Sequence, residues 1–92
     1  KKLRLLARFG IDATRYDELL AAQNGVCAIC GRREWRIDKR TSKPRALAVD
    51  HCHDTGRVRG LLCFSCNVAI GFFENSPEFA EAAAQYLRRG DR

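Results

Sequence analysis

The run VDHCHDTGRVRGLLCFSCN, residues 49–67, sets two acids, two histidines and three cysteines close together. With GVCAIC at 25–30 it completes two C-x-x-C pairs, Cys27 with Cys30 and Cys63 with Cys66. Thiolates spaced in two such pairs are the ligand pattern of a structural zinc site. Disulfides are the competing use of cysteine. They suit secreted chains, and an odd count of five cysteines with no signal-like segment argues against secretion. A thioredoxin-type redox centre needs only one pair and a βαβ setting, and neither pair has that setting. His51 and His53 form a second candidate ligand set, in place of one cysteine pair.

Asp50, His51 and Asn67 offer different chemistry. A carboxylate and an amide supply oxygen donors for a hard cation such as Mg²⁺. A neutral imidazole beside them can take a proton from water. Strand alternation places His53 on the same side as His51 and turns Cys52 away from both, so Cys52 is left out of the metal sites; its thiol could still react. Each of these residues has a plainer use. Asp50 could cap a hairpin turn, and Asn67 could be an ordinary helix-start residue. Arg57 and Arg59 are candidates to grip phosphates, and Arg59 could equally pair with an acid such as Asp54. Trp35 and Phe64 read as core residues rather than base-stacking platforms.

The elements that must position these groups follow from patterning. Residues 1–9 are basic with Leu3, Leu5, Leu6 and Phe9, which predicts a short helix ended by Gly10. Asp12 or Thr14 can cap a second helix with Tyr16, Leu19 and Leu20 on one face, stopping at Asn24-Gly25. The segment 32–45 is polar and turn-rich and reads as a surface loop, with Trp35 and Ile37 as anchors. Leu47 to His51 and Val58 to Leu62 read as strands joined at Asp54-Thr55-Gly56, a hairpin. A helical pattern starts at Phe64. Ser76-Pro77 opens a last helix whose apolar face is Phe79, Ala82, Ala83, Tyr86 and Leu87, with Gly90 at its end. The fold class expected is a small zinc-stapled α+β domain with a hairpin–helix unit at its centre and helices on either side.

The chain has 92 residues, which predicts one domain over 1–92, marginal in core size without a staple. Its net charge is +6, and four thiolates (−4) with one zinc ion (+2) would leave +4. A basic balance favours a polyanion such as nucleic acid as partner. No apolar run approaches the length of a membrane span, so no membrane partner is expected. The lack of methionine and the Lys at position 1 predict a piece of a longer chain.

The run D-H-C-H-x-T-G-x-V-R-G-L-L-C-x-x-C-N, with the upstream G-V-C-A-I-C, resembles the recombination endonuclease VII family. These belong to the HNH, ββα-metal or His-Me finger nucleases. The resemblance covers a core from Tyr16 to about Phe73 and, more weakly, the helix at 76–90. It implies a DNA endonuclease of phage or bacterial cytoplasm, with Asp50 and Asn67 on a catalytic Mg²⁺ or Mn²⁺. It implies His51 as general base, His53 supporting the site or touching phosphate, and zinc on Cys27, Cys30, Cys63 and Cys66. Products with 5′-phosphate and 3′-hydroxyl ends are expected. Ile70 stands where the best-known member carries a glutamate. Junction-resolving members also have a longer helical part that builds an intertwined dimer, and this chain of 92 residues is expected to hold one short helix in its place. One site nicks one strand, so a double-strand break needs two chains or two visits; the partners expected beside DNA are a second copy in a homodimer or an upstream targeting domain fused to this chain. The reading from another class is a non-catalytic zinc-knuckle module. Within the nucleases the choices are a junction resolvase, a packaging-associated nickase and the cutting domain of a restriction enzyme.

Overall fold

The computed structural model describes residues 10–90. The short helix expected over 1–9 lies outside the described residues. In chain order the elements are α1 (Ala13–Ala22), β1 (Ile37–Asp38), β2 (Lys43–Pro44), β3 (Ala48–His51), β4 (Val58–Leu62), α2 (Phe64–Phe72) and α3 (Pro77–Gly90). They make an α+β arrangement with two antiparallel hairpins, β1–β2 and β3–β4.

Helix α1 starts where Asp12 accepts a hydrogen bond from the Arg15 backbone N–H at 2.8 Å, which satisfies one orphan donor of the first turn. It ends as Asn24 (φ 57°) and Gly25 (φ 73°) take the left-handed conformation that stops a helix. Its inward face carries Tyr16, whose hydroxyl donates to the Leu47 carbonyl at 2.7 Å. That bond satisfies a polar tip that is otherwise buried.

Among the described residues the core is small: Tyr16, Cys27, Leu47, Leu61, Leu62 and Cys63, with Leu19, Leu20, Val49 and Ile70 packed around it. Two of its six buried members are cysteines, so the sulfur cluster is part of the core rather than an appendage. Gly60 to Cys63 are buried without a break, because β4 is covered on both faces. Gln23 at the end of α1 covers its free edge. Its side-chain amide donates to the Val26 and Leu61 carbonyls, both at 2.9 Å, and its oxygen accepts from the Leu61 N–H at 2.9 Å. Gly60 sits under this contact: a Cβ there would lie 3.2 Å from Gln23 Oε1 and 3.7 Å from Ala28 Cβ.

The central hairpin pairs Ala48 with Leu62, Val49 with Leu61, Asp50 with Gly60 and His51 with Val58. One step along β3, from Asp50 to His51, spans two steps along β4, so Arg59 is the extra residue of a bulge. The turn is closed by Gly56 N–H to the Cys52 carbonyl at 2.7 Å, with Gly56 at φ 76°.

Three expectations need correction. The segment 32–45 is not a plain loop, because it contains the β1–β2 hairpin, with Ile37 opposite Pro44 and Asp38 opposite Lys43. Its turn forms because Asp38 accepts from the Arg40 N–H at 2.9 Å and Ser42 adopts φ 59°. Trp35 and Phe64 are not core residues; they are 64% and 42% exposed. The stripe expected on the last helix is not covered either, since Phe79, Tyr86 and Leu87 are all more than half exposed. No described helix is long and apolar enough to cross a membrane.

Candidate functional site

Two clusters of chemically able side chains flank the β3–β4 hairpin. The first is built from two knuckles. Cys27 and Cys30 sit on a tight turn in which Gly31 N–H donates to the Cys27 carbonyl at 3.0 Å and Ile29 N–H points at Cys27 Sγ at 3.4 Å. Gly31 is at φ 72°, a conformation that favours glycine. Cys63 caps α2, its sulfur accepting from the Cys66 N–H at 3.5 Å. The Ala28 N–H donates to the Leu61 carbonyl at 3.1 Å and ties the first knuckle to β4, which runs directly into the second.

The outcome is that the sulfurs of Cys27, Cys30, Cys63 and Cys66 lie within 4.8 Å of one another. Cys30 Sγ and Cys63 Sγ are 3.8 Å apart. Thiolates at ~2.3 Å from a tetrahedral ion would be ~3.8 Å apart, so this spacing fits the edge of such a site. The electrostatics point the same way. The Arg32 guanidinium beside Cys30 holds its thiol down to about 6, while burial pushes the Cys66 thiol up to about 12. Four sulfurs this close cannot all ionise unless a cation compensates them. The four cysteines are arranged to hold a metal ion.

The second cluster lies at the far end of β3. Asp50 is held by the bulge residue: Arg59 Nε donates to Oδ2 at 2.7 Å and Arg59 Nη2 to Oδ1 at 3.0 Å. The same Nη2 donates to Asn75 Oδ1 at 2.8 Å. The fork raises the Arg59 pKa, and the Asp50 side chain is only 12% exposed. The acid that Arg59 pairs with is therefore Asp50 and not Asp54. The bulge is the cause, because it turns Arg59 out of the ordinary alternation and over its cross-strand neighbour. Next to this pair the rings of His51 and His53 stack, 5.2 Å between centroids and 8° from parallel. Arg57 is exposed on the turn. Asn67 stands on the first turn of α2 and its N–H makes that helix's first bond, to the Cys63 carbonyl at 2.9 Å. No hydrogen bond joins its side chain to Asp50 among the described residues.

The sequence model of the recombination endonuclease VII family matches residues 2–89. The chain belongs to that family. Its curated relatives include the gene 59 proteins of two mycobacteriophages. The chain is 40% identical over 85 residues to that of phage L5, covering 91% of this chain and 48% of the relative. It is 41% identical over 87 residues to that of phage D29, covering 94% of this chain and 48% of the relative. It thus spans about half the length of those proteins.

Within this family domain, three residues matter that sequence reasoning did not single out. Glu34 is 9% exposed and spends both carboxylate oxygens on backbone, accepting from Phe64 N–H at 2.8 Å and Arg36 N–H at 2.9 Å. It caps the first turn of α2, which carries Cys66 and Asn67, and anchors the following segment to it. Asn75 completes the Arg59–Asp50 chain. Gln23 braces β4 behind both clusters. Of these, only Gln23 had a local signal, lying just ahead of the Asn24-Gly25 helix stop. Glu34 and Asn75 act across gaps of 30 and 16 residues and leave no pattern in the sequence.

Proposed function

We propose that this chain is a single zinc-stapled nuclease domain that hydrolyses DNA phosphodiester bonds. The observation that carries the reading is the juxtaposition of Asp50 and the His51–His53 pair on a bulged hairpin that runs straight into a cysteine-capped helix. Family membership supports it. The ion held by Cys27, Cys30, Cys63 and Cys66 is zinc, because four thiolates select it over hard cations.

The catalytic ion is Mg²⁺ or Mn²⁺, for which a carboxylate and an amide oxygen are the fitting donors. Asp50 and Asn67 would hold it, and when bound it supplies Lewis-acid stabilisation of charge on the phosphate and the leaving oxygen. Asp50 already accepts both bonds of the Arg59 guanidinium fork, so its orientation is fixed. His51 removes a proton from the attacking water. His53, stacked on it, holds the imidazole plane against the hairpin turn and faces the phosphate. Arg57, exposed on the same turn, neutralises phosphate charge. Cutting by one such site nicks one strand; a double-strand break needs a second copy. The working place is the cytoplasm of a bacterial or phage-infected cell.

The test is relaxation of supercoiled plasmid in Mg²⁺ by the parent and by His51→Ala. A folded, metal-loaded His51→Ala protein should be at least ~10²-fold slower, the scale of general-base loss. Nicking at the parental rate would remove His51 from the chemistry, and no nicking by the parent itself would leave a DNA-binding zinc module as the reading.

A further inference from the structure

Three consecutive residues dock on the start of α2, each by a different interaction. Glu34 Oε1 accepts from the Phe64 N–H at 2.8 Å. Trp35 Nε1 donates to Ser65 Oγ at 3.1 Å. The Arg36 guanidinium carbon lies 4.0 Å from the centre of the Phe64 ring. The segment is pinned again by the Arg45 N–H, which donates to the Arg36 carbonyl at 2.8 Å. The result is a fixed shelf, yet its largest side chain, Trp35, is 64% exposed.

That combination calls for an occupant. An exposed indole in a mobile loop is ordinary surface. Here the indole N–H is satisfied and the backbone on both sides is anchored, so the ring is oriented while its apolar surface stays in water. The acid before the ring, Glu34, is nearly buried and consumed by backbone donors, and the residue after it is Arg36, whose guanidinium lies over Phe64. An aromatic face bordered by a guanidinium group is complementary to a nucleobase with its phosphate. Phe64 and Asn67 are three residues apart on α2 and so share one side of the helix.

We propose that Trp35, with Arg36 and Phe64, forms a subsite that stacks one unpaired nucleobase of a DNA strand, with Arg36 meeting its phosphate. The subsite deepens the nuclease reading, on which its closeness to Asn67 rests. Within a continuous duplex the bases are stacked on each other and present edges rather than faces, so the subsite favours single-stranded over fully paired DNA.

Trp35 is the chain's single tryptophan, so its emission reports on this subsite alone. The experiment titrates the zinc-loaded 92-residue protein, in Ca²⁺ to suppress cutting, with a 12-nucleotide oligothymidylate and with a blunt hairpin duplex of equal charge. Saturable quenching by the single strand, with little by the duplex, is the expected result. Fluorescence anisotropy of labelled oligothymidylate should show Trp35→Ala binding about tenfold or more weakly, the scale of one lost stack, and Trp35→Phe recovering most of it. Zinc content guards against misfolding, and a variant that loses zinc is replaced in the comparison by Phe64→Ala. Equal quenching by the blunt duplex, or no quenching by either, would overturn the proposal, the latter assigning the exposed indole to a protein partner. The plasmid assay with His51→Ala is independent of this result, so loss of the stacking subsite and loss of the nuclease reading are told apart.

Discussion

Arg59 grips both carboxylate oxygens of Asp50, and it does so as the extra residue of the β3–β4 bulge. A guanidinium fork on a nearly buried carboxylate fixes that side chain and supplies its counter-charge. Arg59→Ala leaves the carboxylate without it and should lower stability by about 1–3 kcal/mol, at the low end because the guanidinium is 40% exposed. If Asp50 holds a divalent ion, Mg²⁺ should then raise the melting temperature of Arg59→Ala more than that of the parent, because no guanidinium has to yield. Equal shifts would mean that the ion does not use Asp50.

The two metals separate by mutation. Asp50→Ala should abolish nicking and retain one zinc per chain, whereas Cys66→Ser should lose zinc and unfold, because the sulfurs belong to the core. Elemental analysis alongside the nicking assay decides it. Zinc missing from Asp50→Ala would merge the two sites into one.

The two turn arginines should behave differently in salt. Arg57 is exposed, while Arg59 is engaged with Asp50 and Asn75. Arg57→Ala should flatten the log–log dependence of duplex affinity on salt by about 0.9, one phosphate's worth. Arg59→Ala should change the slope less. A salt titration in Ca²⁺ measures both, and equal changes would put Arg59 on the phosphates as well.

Tyr16 gives the fold an alkaline limit. Burial raises its pKa above the usual 10. The unfolded chain therefore loses this proton first, and stability falls as pH rises from about 10 toward the raised value; below 10 the contribution is complete. Tyr16→Phe removes the bond to the Leu47 carbonyl and should cost about 1–2 kcal/mol at neutral pH. It should also flatten the alkaline limb of a denaturation series. An unchanged limb would place the alkaline sensitivity elsewhere, the cysteines first.

Much of this was legible in the residues. C-x-x-C spacing foretold the sulfur cluster because knuckle geometry is local. The central hairpin and α2 follow from a turn signal between apolar runs, and Asp12 and Ser76 announce their helices. The β1–β2 hairpin was not legible, since none of its four residues is buried and no face alternates. The Asp50–Arg59 pairing escaped because a bulge is a register event, and register depends on partner strands. Trp35 misled for a simpler reason: an aromatic usually means core, and here its anchor is Ser65, thirty residues away.

The amide of Gln23 imitates a strand. Bonded to both the N–H and the carbonyl of Leu61, it consumes the pairing groups at the middle of β4's open side. A second sheet cannot add there without expelling it. The β4 edge is thus closed to ribbon-like growth between molecules, and two copies that meet over DNA cannot join through it.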